Sequence, residues 1–80
     1  METEIRERLE RFKIKGGLFL ENNIKAFIVD INNTWFSCDI ILVGENSILV
    51  KNFEGDDLGK HKLYWADIIK FEEWKGHANK

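Results

Sequence analysis

TWFSCDIILVGENSILVKNF, Thr34 to Phe53, is the stretch that decides the fold. It divides into two β-rich runs, Trp35 to Val43 and Ser47 to Phe53, around Gly44-Glu45-Asn46, and Gly and Asn tolerate the backbone angles of a tight turn. In the first run Phe36, Cys38, Ile40 and Leu42 share one face and Trp35, Ser37, Asp39, Ile41 and Val43 the other, and the first set is the cleaner core face. In the second, Ile48 and Val50 alternate with Leu49 and Phe53, and Lys51 and Asn52 mark where the strand meets water. The pair predicts an antiparallel hairpin with one buried face.

Upstream, Ile24 to Ile31 (IKAFIVDI) predicts another strand, with Phe27, Val29 and Ile31 on one face and Ile24, Ala26 and Ile28 on the other. Both faces are apolar, so both are expected to be covered. Asn32-Asn33 is expected to turn the chain as a two-residue hairpin loop. Before it, Ile5, Leu9 and Phe12 recur at helical spacing, which predicts a helix over Thr3 to Lys15, capped by Thr3 and stopped by Gly16-Gly17. Leu18 to Leu20 is expected to form a turn or the approach to a strand. A short helix is marginal alone, so its apolar face must lie on the open end of the β structure.

Downstream, Glu54 to Gly59 is a loop by composition, Lys60 to Trp65 a fourth strand, Ala66-Asp67 a single turn and Ile68 to Trp74 a fifth strand; residues 75–80 form a frayed polar tail. A helix and five short, closely spaced strands predict one domain, mainly β, with a barrel over about residues 18–74. The barrel is expected to be small, strongly bent and antiparallel, since closure protects strand edges.

The composition narrows the function classes. The chain has 80 residues, 44% of them hydrophobic and 12% aromatic, enough for a core without disorder. A domain this small buries only about 60–65% of the surface of its unfolded chain, so its stability margin is thin. One cysteine, Cys38, cannot form a disulfide within the chain or a cysteine zinc cluster. No run reaches the roughly 18 apolar residues of a membrane span, which leads us to expect a soluble, cytoplasmic protein. A net charge of −2 does not attract nucleic acid over the whole molecule, so any basic surface must be local.

No Gly-rich phosphate loop, nucleophile elbow, paired catalytic carboxylates or zinc motif is present, and neither an enzyme nor a cofactor is expected. Glu54, Asp56 and Asp57 lack the spacing of a calcium loop and form a solvated loop first. His61 and His77 stand too far apart in sequence to suggest a ligand pair. Lys51, Lys60, His61 and Lys62 are expected to meet across one loop, with Tyr64 on the same strand. Basic groups beside an aromatic ring suit single-stranded nucleic acid, because phosphates take the charge while bases stack. A solvated strand end with a snorkelling tyrosine is the plainer alternative. Trp35, Trp65 and Trp74 are core or subunit-interface anchors before they are ligand-stacking rings.

The order of elements resembles the Sm-like family, which includes Sm, Lsm and Hfq proteins and uncharacterised archaeal relatives. IKAFIVDINNTWFSCDIILVGENSILVKN, from Ile24, resembles the first Sm motif, and YWADIIKF, Tyr64 to Phe71, resembles the second, in which two strands meet across a tight turn. The family grips a uracil base with Asp and Asn where this chain has Gly44 and Ser47, and has Arg-Gly where this chain has Trp65-Ala66. Those base-binding residues have no counterparts here. The resemblance implies a non-enzymatic barrel that self-associates into rings through edge strands and binds single-stranded RNA. Ile24, Ala26, Ile28, Trp65, Ile68 and Trp74 are then expected at the interface, and Lys51, Lys60, His61, Lys62 and Tyr64 on the RNA. The alternative is a monomeric SH3-like or Tudor-like interaction module whose exposed aromatics receive a peptide, which expects solvent-accessible tryptophans, or a structural subunit of a larger complex.

Overall fold

A computed structural model describes residues 2–55 and 58–76. Asp56, Asp57 and His77, with the rest of the tail from 77 to 80, lie outside the described residues. The chain is mainly β: helix α1 (Glu2–Glu21) precedes strands β1 (Ala26–Asp30), β2 (Trp35–Val43), β3 (Ser47–Asn52), β4 (Gly59–Tyr64) and β5 (Ile68–Glu73). A single 3-10 turn, Trp65–Asp67, joins the last two strands. All strand pairs are antiparallel, in the order β4-β3-β2-β1-β5.

The expected closure into a barrel is not made within the chain, because β4 and β5 are the two edges of the sheet and pair only with β3 and β1. The sheet is nevertheless curled. Five flat strands about 4.8 Å apart would hold their edges about 19 Å from each other, whereas the four Cα steps from Tyr64 to Ile68 reach at most about 14 Å. Two bulges help the bend. The β2–β3 register slips between Ile40 and Leu42, and the β1–β5 register slips between Val29 and Asp30.

The first slip inserts Ile41 and reverses the alternation of β2. Phe36, Cys38 and Ile40 are buried as expected, but Leu42 is 60% exposed and Val43 packs against the core instead. The second leaves Ile69 of β5 unpaired and exposed. The β1–β2 connection is longer than two residues. Asp30 Oδ1 accepts from the Asn32 and Thr34 amides at 2.9 and 3.0 Å, and Asn33 takes a φ of 64°. An Asx turn followed by a left-handed Asn returns the chain.

The helix also differs from expectation: it begins at Glu2 and runs through Gly16-Gly17 to Glu21. Its stop is Asn23, with a φ of 56°. The Ile24 amide donates to Phe19 O at 2.9 Å and the Asn23 amide to Leu20 O at 3.4 Å, the paired bonds of a Schellman end. Leu18 to Leu20 is thus the last helical turn. Leu9, Phe12 and Phe19 pack on the core, while Ile5 is 52% exposed and does not join them.

Gly16 is buried inside the helix for a steric reason: a Cβ there would lie 3.1 Å from Trp65 Cη2 and 3.4 Å from Ile48 Cδ1. The helix backbone sits directly on the Trp65 ring. Trp65 is in turn fixed by the β2–β3 turn, its amide donating to Asn46 O and its indole Nε1 to Gly44 O, both at 3.1 Å. Phe71 is the hub of this layer, with ring centroids of Phe19, Phe12 and Trp65 at 5.4, 5.9 and 6.2 Å. Lys13 ties the helix to the same turn by an ion pair to Glu45 (3.3 Å) and also pairs with Glu10 (3.2 Å) within the helix. Hydrogen bonding to those carboxylates, Glu10 first, raises the Lys13 pKa.

Candidate functional site

The register of β3 and β4 assembles most of the expected basic group. Lys51 stands opposite Lys60, Leu49 opposite Lys62 and Ser47 opposite Tyr64, so Lys51, Lys60, Lys62 and Tyr64 share the outward face. The three lysines and Tyr64 are exposed, and Lys62 Nζ lies 5.3 Å from the Tyr64 ring centroid. Like charges directly opposite each other on paired strands destabilise the pair. Asp39 stands opposite Lys51 on the other side, but its carboxylate is held by Lys25 Nζ at 2.9 Å. Among the described residues no ion pair neutralises Lys51, Lys60 or Lys62. Three like charges beside an exposed ring have the chemistry that suits phosphates and stacked bases.

His61 is not brought to this face. It pairs with Val50, is half-buried, and sets its ring edge-on to Phe36 at 5.5 Å. Alternation along β4 places it on the opposite side from Lys60 and Lys62.

The residues expected at a subunit interface divide by burial. Ala26, Ile28, Trp65 and Ile68 lie in the chain's own core, at 0–2% exposure, and have no side-chain surface to give a partner. Ile24 and Trp74 are half-buried. What an assembling copy could meet is the backbone of the edges. On β5 the alternation is fixed by the Trp74 amide, which donates to Lys25 O, so that in the β1–β5 register Phe71 and Glu73 direct their amides and carbonyls to the open side. Lys15 Nζ, from the helix, caps the Phe71 carbonyl at 2.8 Å.

Cys38 is fully buried, with Sγ 3.7 Å from Ala26 O. Burial, with a smaller contribution from the Asp39 charge, pushes its pKa up to about 12, so the thiol is neutral and unreactive.

A second surface, of the exposed aromatics that the interaction-module alternative expects, could not be located from the sequence. On the outward face of β1, β2 and β5, Phe27 and Trp35 meet edge to face at 5.9 Å, and beyond them Phe53 and Trp74 do so at 5.0 Å. Phe27, Trp35 and Trp74 line a groove of about 570 Å³ together with Glu54, Glu72 and Glu73. Trp35 is 68% exposed. The signal was present in the alternation, which sets Trp35 on the face opposite Phe36 and Cys38. No helix among the described residues is long and apolar enough to cross a membrane. The chain matches no family model, no curated protein and no solved structure.

Proposed function

We propose that the protein is a non-enzymatic, Sm-like subunit that assembles edge to edge with copies of itself and takes up single-stranded RNA on its lysine face. The observation that carries this reading is the pair of open edges, β4 and β5, held one short turn apart by a curled sheet. An unpaired edge is a template for another strand. Joining β4 of one copy to β5 of the next is a head-to-tail contact, which closes into a ring when the rotation between copies allows it. Such pairing would continue the incomplete barrel of each chain across its neighbours.

Each copy contributes Lys51, Lys60, Lys62 and Tyr64. A repeated array of such faces gives a molecule of net charge −2 a local basic surface. The missing Asp and Asn of the family's base grip favour contact with phosphate and stacking over recognition of uracil. Retention of single-stranded oligonucleotides at low salt, lost as salt rises, tests the RNA half. Lys51→Glu and Lys60→Glu are expected to abolish retention, and wild-type protein that retains no oligonucleotide at low salt removes it.

A further inference from the structure

We infer that Lys15 is a latch on the open edge of β5: it occupies the Phe71 carbonyl in the isolated chain and must leave before a strand of a second copy can pair there. The inference deepens the edge-to-edge reading and rests on it for one thing, that copies meet at the β5 edge.

The helix builds the latch. Phe12 and Phe19 of α1 hold the Phe71 ring at centroid distances of 5.9 and 5.4 Å. Lys15 stands three residues after Phe12 and four before Phe19, on the same helical stripe. Docking of that stripe brings Lys15 to the margin of the sheet, where Nζ donates to Phe71 O at 2.8 Å in a part-buried bond. A charged donor makes such a bond one of the stronger kind. The β1 ladder engages Lys70 and Glu72, which turns the amide and carbonyl of Phe71 to the open side.

An antiparallel strand that pairs at Phe71 exchanges two hydrogen bonds with it and needs this same oxygen. The carbonyl has a second lone pair, but an incoming N–H would bring its positive end against the ammonium. Charge adds to the block, because β4 arrives carrying Lys60 and Lys62. Lysines commonly shield edge strands, yet this one comes from a different element and is held lightly. Among the described residues its ammonium makes no ion pair, and its flexible stem can swing aside while helix and ladder stay formed.

The test follows mass against concentration by static light scattering for the whole chain and its variants. Lys15→Met keeps the apolar stem and removes the donor, and is expected to move association to roughly tenfold lower concentration. Lys15→Ala, with a good helix former, is a second neutral variant with the same expectation. Lys15→Arg keeps a donor and should stay close to wild type. Lys15→Met combined with Glu73→Pro should lose the gain, since the neighbouring edge amide is then missing. Neutral variants that associate at the wild-type concentration or above it overturn the latch, as does a gain that survives Glu73→Pro. A wild type that stays monomeric throughout fails the edge-to-edge reading alone: the latch then stands if Lys15→Met associates and falls if it too stays monomeric.

Discussion

Two adjacent glycines show how far a residue's effect depends on what stands beside it. A Cβ at Gly17 meets nothing within 4 Å, whereas one at Gly16 would press on Trp65, which two hydrogen bonds hold in place. Alanine favours a helix over glycine by about 1 kcal/mol. Gly17→Ala is therefore expected to stabilise the fold by about 0.5–1 kcal/mol. Gly16→Ala is expected to destabilise it by about 1–3 kcal/mol through overpacking. Urea denaturation of the two variants should give opposite signs, and equal shifts would show that the helix does not rest on Trp65. Cys38 provides a pH test. Its pKa is raised on folding from 9.0 to about 12, so the folded state holds its proton more tightly. The contribution is fully present below pH 9.0 and is lost as pH rises through about 12. Over that window wild type should lose stability relative to Cys38→Ala, and parallel profiles would contradict a buried neutral thiol.

At the scale of the element, the strand pair β3–β4 holds a like-charge contact that the fold itself does not require. Lys60→Glu places an acid opposite Lys51 and is expected to stabilise the pair by about 0.2–1 kcal/mol while removing RNA retention. A variant that loses both stability and binding would point to a structural role for Lys60. The strands were legible in the sequence because alternation at Phe36, Cys38, Ile40, Ile48 and Val50 follows burial directly. The bulge at Ile41 was not, since an inserted residue in an unbroken apolar run leaves no mark in composition, and Leu42 was placed inside for that reason. The helix end was misplaced likewise. Gly16-Gly17 has the chemistry of a stop, but Gly16 is there to let the helix approach Trp65, and the left-handed residue is Asn23. The lysine face could be read because it depends on register alone, while the groove needed β5 and β2 to be brought beside β1.

For the whole molecule, strand order matters more than any side chain. The expectation of a closed barrel came from counting short strands. An open, curled sheet has the same count and differs in leaving one edge of β4 and one edge of β5 unpaired. Interface residues named from apolarity alone fell mostly into the core, because a domain of 80 residues needs its apolar side chains for itself. The assembly we propose would then act through the edge backbone. Glu73 directs its amide to the open side of β5, so Glu73→Pro removes an assembly donor without breaking the β1 ladder. Static light scattering at micromolar concentration tests edge-to-edge assembly most directly. The wild-type chain, of 9.4 kDa, should give a mass several times that value and Glu73→Pro a markedly smaller one. A wild-type protein that scatters as a single 9.4 kDa species would contradict it.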